Sequence, residues 1–451
     1  MTELTEPSQK CYLPTRFVLS FLVFWATVLL YAHKVCLSVT IVAMVNQSAF
    51  EQPNKTFESD NTCGVSDDDN STPPEKQGNY MWSPYTQGVI LGAYFYGYIF
   101  TQVFGGRLSE MAGGKWPLGL SILIASLLTL VTPFAADVGV LAIVILRVVM
   151  GLVHVSIVRQ PYGSLGCIWF LFWACLAYSS PSDHPRISKE ELEYIRKNHV
   201  HMTADQKLPI PWKHVLRSLP VWTVAFSIFT SAWGFLTLLT KLPTYLQVVL
   251  HIPIENNGLI NSMIYLCSSI TLFLTGYASD YLRTKKRFSA TNVRKGFQLF
   301  AMIGPAVCMS LITLMGCNHV LVIFLLIAAM SFQGFGGGGI NSITADMAPH
   351  HAATLFGIVN SIGSISGIFA PMVAGVLLEQ KNSSIQQWGS VFYISAGLNV
   401  AGGIAFLLFA SAERQPWAKV PEIDKTVDSK HIQQSSSKQD IDNSTKYGAM
   451  S

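Results

Sequence analysis

Lys34, Arg147 and His154 are ionisable side chains that lie inside long apolar segments of the 451-residue chain. A charge at that depth in a membrane costs about 3 kcal/mol or more, so it indicates a function. An arginine guanidinium stays charged and binds a carboxylate through two parallel hydrogen bonds. Arg147 is therefore the strongest candidate for binding an anionic substrate, and Lys34 is a second substrate-binding candidate.

Each of these residues also has a structural interpretation. Lys34 lies near the end of its segment, from which a lysine reaches the membrane interface. Arg147 also fits a structural pair with a helix end. His154 follows Arg147 on the same helical face, and an imidazole titrates near pH 6.5, so it is a candidate for proton coupling. A chance position in an irregular segment explains His154 equally well.

A second group of polar residues recurs in both halves of the chain. Gly106, Glu110, Gly113 and Lys115 follow one apolar segment, and Gly276, Asp280 and Arg283 follow another. The glycines would allow close helix contact, and each carboxylate could pair with a basic group or cap a neighbouring helix. One copy alone fits an ordinary interfacial helix end, but two copies at matching positions predict the internal repeat typical of transporters.

Glycines also dominate residues 334–339. A phosphate-binding loop is one interpretation of this run. Inside a membrane segment, however, small residues more often allow close helix packing, which we expect here.

The composition excludes an ordinary soluble protein. Half of the residues are hydrophobic, 12% are charged and the mean hydropathy is +0.37, and the apolar residues come in blocks long enough to cross a bilayer. The pattern predicts an all-α polytopic membrane protein that is surrounded by the lipid bilayer. We expect no nucleic-acid partner. The sequence contains no catalytic constellation and no His/Cys cluster with metal-ligand spacing, so we expect neither an enzyme nor a cofactor or metal. Cys63 has no companion in its loop, so no disulfide framework is expected.

The apolar blocks divide the chain into five regions. We expect an N-terminal segment (1–16), an incomplete first helical bundle (17–178) with a polar loop (46–80), a central loop (179–219), a six-helix second bundle (220–412) and a disordered tail (413–451). The spacing of Ser188 and Glu191 predicts that a short surface helix begins in the central loop.

Charge and glycosylation patterns predict the same orientation. Lysine and arginine concentrate in the loop around residues 105–115, in the central loop and in residues 283–295, which places these loops and both termini in the cytosol. Four glycosylation sequons, expected on the lumenal side, are those of Asn46, Asn54, Asn70 and Asn382.

Residues 141–178 are apolar enough for two short membrane crossings. With the crossing at 116–136, two more would place the basic central loop outside. The positive-inside rule therefore favours one net crossing for this stretch. A break at bilayer depth is costly unless it is buried in protein.

The first glycine-containing loop resembles the signature loop of the major facilitator superfamily. A closer resemblance is to its anion:cation symporter branch, which includes sialin, vesicular glutamate transporters and sodium-phosphate cotransporters. The segments that carry it are residues 31–39, 82–92 with Tyr96–Tyr98 and Gln102, 241–245, 276–280, 346–349 and 357–360 with Gly367 and Pro371.

This resemblance implies a fold of two pseudo-symmetric helical bundles. It also implies symport of a small organic anion with H⁺ or Na⁺ by alternating access, in a monomer of the lysosomal, vesicular or plasma membrane. Relatives have a basic residue at the position of Lys34 and an arginine at that of Arg147. The glycine-containing loops would then act in conformational gating.

The chain departs from the family at several positions. Roughly 50 residues between the fourth and sixth spans are absent after Val155 by this comparison, which leaves about 10–11 spans instead of 12. Met150, His154 and Thr344 stand where relatives have proton-handling side chains. Ser231 replaces the second arginine of vesicular glutamate transporters, which favours a monocarboxylate.

Three functions therefore remain open. The first is a sialin-like symporter of sialic acid or a related monocarboxylate. The second is a shortened splice or gene-model product that does not transport. The third is transport of sodium and phosphate, or of glutamate into vesicles.

Overall fold

We analysed a computed structural model of the chain. It describes residues 14–46, 78–112, 115–153, 162–178, 184–185, 187–198, 211–285, 288–379 and 385–418. Regular structure in these residues is helical, and one isolated backbone bridge joins Val45 to Tyr80. The predicted all-α fold is confirmed.

The first half of the chain forms one helical bundle. Its helices are α1 (Thr15–Met44), α2 (Pro84–Ala112), α3 (Lys115–Val138), α4 (Val140–Val153) and α5 (Tyr162–Leu176). Two short helices follow, α6 (Lys189–Asn198) and α7 (Trp212–Arg217).

The second half forms a larger bundle. Its helices are α8 (Leu219–Val248), α9 (Ile254–Thr284), α10 (Ala290–Ile312), α11 (His319–Gln333), α12 (Ile340–Met347), α13 (Ala352–Leu378) and α14 (Ile385–Phe409). A 3₁₀ turn, Gly334–Gly337, joins α11 to α12.

Several of these helices are long enough to cross a bilayer. Seven helical segments with described side chains, one in the first bundle and six in the second, combine at least 18 residues with high hydropathy. Helices α1 and α2 contain 30 and 29 residues. We call the end of the bundles at which α2 begins the outer end, because the sequon-rich loop precedes it, and the opposite end the inner end.

The glycine run at residues 334–339 packs tightly against α9. A Cβ on Gly334 would lie 2.7 Å from the carbonyl oxygen of Ser268, and one on Gly337 would lie 2.6 Å from that of Leu272. Side chains at these positions would collide with helix backbone. Close helix packing, predicted from the sequence, is confirmed.

Helices α4 and α5 together make one net crossing. Helix α4 begins directly after α3 ends at the outer end, where the Tyr80 hydroxyl hydrogen-bonds to Asp137. Helix α5 ends at the inner end, because Trp173 donates to the carbonyl oxygen of Lys115, the first residue of α3, at 2.8 Å. The stretch therefore enters at the outer end and leaves at the inner end, as the loop charges predict.

The central loop contributes to both bundles. Ser188 Oγ accepts a hydrogen bond from the amide of Glu191 at 3.1 Å, which confirms the predicted helix start. The Glu191 carboxylate in turn accepts from the amides of Thr15 and Arg16, each at 3.1 Å, and so caps α1. The start of α1 and the central loop therefore lie at the same end of the molecule.

One expectation about cysteines is wrong. Cys317, in the turn between α10 and α11, is disulfide-bonded. Its partner lies outside the described residues. The expectation rested on cysteines that share one loop. It could not reveal a bond between cysteines in separate segments of the chain.

Candidate functional site

Arg147 lies on α4 and is 3% exposed. Its position depends on close packing of α4 against α2, where the two backbones meet at Gly97 and Gly151. Thr101 Oγ1 reinforces this contact by donating to the carbonyl oxygen of Gly151 at 3.2 Å. The small residues allow the helices to approach closely enough to bury the arginine.

The guanidinium of Arg147 packs over an aromatic ring. Its Cζ lies 5.6 Å from the ring centroid of Tyr94, within the range of a cation–π contact. The Nε–H of Arg147 is buried and has no acceptor among the described residues. A buried donor without an acceptor is costly, so an anion that supplied one would be bound favourably.

Tyr94 connects the arginine to the second bundle. Its ring stacks on that of Tyr98, with centroids 5.5 Å apart, and Asn360 Nδ2 of α13 donates to the Tyr98 hydroxyl at 3.4 Å. Apolar side chains from α2, α4, α8 and α13 surround both tyrosines. The arginine therefore lies beside the surface on which the two bundles meet.

The structure describes little of the other predicted binding and coupling residues. Lys34 belongs to α1, but its side chain lies outside the described part of the structure. His154 follows the end of α4 and is also outside it. Met150, one of the positions at which the chain departs from the family in the sequence analysis, is fully buried in the apolar cluster around Tyr94.

A buried lysine, not selected from the sequence as a site residue, lies at the outer end. Lys241 of α8 is 2% exposed, and its Nζ has one acceptor among the described residues, the carbonyl oxygen of Pro84 at 3.5 Å. A lysine within an apolar segment is a sequence signal by which Lys241 could have been selected as a site residue. The burial could not be predicted, because it requires α2 and α8 to meet.

The same end of the molecule is closed by glycine contacts. A Cβ on Gly375 of α13 would lie 2.7 Å from the Pro84 carbonyl oxygen, and one on Gly88 of α2 would collide with the backbone at Pro371. Helices α2 and α13 therefore pack backbone to backbone from Pro84 inwards. The bundles are in contact at the outer end.

The first of the two predicted gating loops is partly described. Gly106 and Glu110 belong to α2, but their side-chain surroundings, like Gly113, lie outside the described residues. Lys115 begins α3, and its Nζ lies 4.8 Å from the ring centroid of Tyr178. This cation–π contact holds the end of α5 against α3.

The second predicted gating loop is organised differently from our expectation. A Cβ on Gly276 would meet open space, so this glycine does not serve close helix contact. Asp280 is exposed and has no ion pair among the described residues. Arg283 instead pairs with Asp346 of α12 at 3.0 Å. The sequence pattern misidentified the acidic partner because it lies on another helix.

The predicted glycosylation sites are almost entirely outside the described residues. Asn54, Asn70 and Asn382 all lie there. Asn46 is described, and its backbone N–H donates to the carbonyl oxygen of Tyr80 at 2.9 Å. This bond closes the base of the 46–80 loop at the outer end.

The family follows from comparison with known proteins. The model of the Major Facilitator Superfamily matches residues 17–158, 162–371 and 292–440. The chain belongs to the major facilitator superfamily. It is a multi-pass membrane protein and a secondary transporter by family, not an enzyme.

Within the superfamily, the chain is similar to several anion transporters. Human sialin is 34% identical, with 89% of this chain and 90% of sialin aligned. Sodium-dependent phosphate transport protein 3 of Mus musculus is 29% identical over 90% of this chain and 95% of its own length. Human vesicular glutamate transporter 2 is 28% identical over 91% of this chain and 76% of its own length. The resemblance to this branch is confirmed.

Solved structures of the superfamily share the fold. The proton:xylose symporter XylE superposes with a TM-score of 0.57 at 12% identity, covering 88% of this chain and 97% of XylE. A bacterial homologue of the lysosomal transporter Spinster gives 0.56 at 12% identity, covering 90% and 100%.

The comparisons also bear on residues 141–178. The superfamily match is interrupted between residues 158 and 162. The alignment with human sialin has 455 positions but uses 89% of this chain. About fifty of its positions therefore have no counterpart in this chain, close to the number expected from the sequence.

Proposed function

We propose that the protein is a sialin-like symporter that moves a small monocarboxylate, such as sialic acid, together with H⁺ or Na⁺ by alternating access. The observation that carries this proposal is the buried Arg147 guanidinium beside the surface where the bundles meet, with an Nε–H that has no acceptor among the described residues. A carboxylate is the natural acceptor for such a donor.

The second bundle supports a substrate with one carboxylate. Ser231 hydrogen-bonds through Oγ to Gln333 Nε2 at 2.7 Å, so this position contributes a neutral pair rather than a cation. Among the relatives named above, sialin is also the one with the highest identity. The second carboxylate of a dicarboxylate would find no guanidinium at position 231, because this residue is a serine.

The test is uptake into proteoliposomes that contain the purified full chain. We expect labelled sialic acid to accumulate under an inward proton or sodium gradient. Arg147→Ala should reduce the initial rate at least about 30-fold, because it removes a buried charge that pairs with the substrate. Arg147→Lys should also be defective, because an ammonium does not reproduce the planar pair of donors. A wild-type rate equal to that of empty liposomes would refute the proposal.

A second candidate function is supported by the same region. Helices α4 and α5 contain 14 and 15 residues and are each about 21–23 Å long, shorter than the ~30 Å hydrocarbon core. A form of the protein that does not transport, and that acts on a full-length partner, would tolerate this shortening. It predicts a monodisperse, folded protein with no uptake, and co-purification with the full-length form when both are expressed together.

A further inference from the structure

A basic cavity lies at the inner end of the second bundle. Its volume is about 350 Å³, and its walls are formed by Lys213, His214, Arg217, Ser218, Gln415 and Trp417. This lining contains a lysine, an arginine and a histidine but no carboxylate. The cavity is therefore suited to an anionic group.

The walls of the cavity are held by the core of the second bundle. Val215, between the basic residues of α7, is 2% exposed and belongs to the same apolar cluster as Ala418. Trp417 packs against this cluster. The amide of Gln415 donates to the carbonyl oxygen of Met347 at 3.0 Å. Both sides of the cavity are thus fixed in place.

Large apolar side chains are exposed next to these cations. Trp212 and Leu216 of α7 are 47% and 54% exposed, and Trp222 at the start of α8 is 49% exposed. Trp222 Nε1 donates to the Leu216 carbonyl oxygen at 2.7 Å, which anchors α7 to α8. Exposed tryptophans beside basic residues are typical of the headgroup region of a membrane.

Trp417 provides an additional donor. Its indole Nε1 is buried and has no acceptor among the described residues. A phosphate oxygen in the cavity would supply one, with Lys213 and Arg217 balancing its charge.

We propose that this cavity binds the phosphate group of an anionic phospholipid. The basic lining favours an anionic group such as phosphate. The exposed apolar side chains of α7 and α8 favour a lipid as its source over free phosphate, because they can contact the acyl chains. Such a site is separate from the substrate path at Arg147.

Native mass spectrometry of the full chain in detergent tests this proposal. The ligands are phosphatidic acid, phosphatidylcholine and inorganic phosphate. Phosphatidic acid should bind more tightly than phosphatidylcholine. Its affinity should fall roughly tenfold or more when Lys213→Gln and Arg217→Gln are combined, since each cation near a membrane surface contributes appreciably to lipid attraction.

The matched control removes the same charge elsewhere at the inner end. Lys285→Gln combined with Lys295→Gln should leave the affinity for phosphatidic acid unchanged. An equal loss in both double variants would show diffuse attraction and overturn the site. Equal binding of phosphatidylcholine, or full displacement of phosphatidic acid by millimolar inorganic phosphate, would overturn the assignment to an anionic lipid.

Discussion

Arg294 donates its Nε hydrogen to Oδ2 of Asp346 at 2.9 Å, and this pair joins α10 to α12 at the inner end of the second bundle. Arg283 of α9 binds the other carboxylate oxygen at 3.0 Å. Arg294 also donates to Ser279 Oγ and to the Gly338 carbonyl oxygen, at 2.8 and 2.9 Å. One carboxylate therefore connects three helices.

Asp346→Asn should destabilise the protein by about 3–5 kcal/mol, because it leaves the buried guanidinium of Arg294 without a counter-charge. The measurement is thermal unfolding in detergent, followed by tryptophan fluorescence. Asp280→Asn is the control and should change stability by less than about 0.5 kcal/mol, since Asp280 is exposed. Similar losses in the two variants would contradict the assignment of Asp346 as the central acid.

Gly97→Ala should lower the unfolding midpoint, because its Cβ would collide with the backbone of α4 and cost about 1–3 kcal/mol. Gly276→Ala should instead raise the midpoint slightly. Its Cβ meets open space, and alanine favours a helix by about 1 kcal/mol over glycine. The opposite signs test the α2–α4 contact that buries Arg147. Two shifts of the same sign would speak against it.

Gly375→Val should favour opening at the outer end, because the added side chain would collide with Pro84 and Tyr85 in the closed arrangement. A cysteine in place of Lys241, which is buried in that arrangement, serves as the reporter. We expect faster labelling of this cysteine by a membrane-impermeant maleimide. Gly397→Val, where a Cβ meets open space, should leave the labelling rate unchanged. An unchanged rate in Gly375→Val would mean that these contacts do not close the outer end.

Lys241→Met should raise the unfolding midpoint, because a buried ammonium with one long hydrogen bond is replaced by an apolar side chain of similar length. The same change should lower anion uptake, because Lys241 lies where the bundles meet at the outer end and would present a cation to an entering anion once that contact opens. Midpoint and uptake rate are measured on the same preparation, with Lys241→Arg as the variant that retains the charge. A lower midpoint with normal uptake would assign Lys241 a purely structural role.

Local features of the fold were predictable from the sequence. The single net crossing of residues 141–178 followed from loop charges, and the start of α6 followed from the spacing of Ser188 and Glu191. The close packing of residues 334–339 was predictable because glycines have no side chain to keep a neighbouring helix away. Each of these depends on neighbouring residues or on a charge pattern along the chain.

Long-range pairs were not predictable in the same way. Asp346 is separated from Arg283 and Arg294 by more than fifty residues, and nothing in the local sequence distinguishes it from the exposed Asp280. The burial of Lys241 likewise depends on helices from both bundles. Arg147 was identified because a charge in an apolar segment is informative before any tertiary contact is known.

The cap that Glu191 places on α1 has a mechanical consequence. Helix α6 travels with the first bundle, whereas α7 is anchored in the second through Val215. The central loop is therefore fixed to the first bundle at α6 and to the second at α7, so a movement of one bundle against the other must change the distance between these two helices.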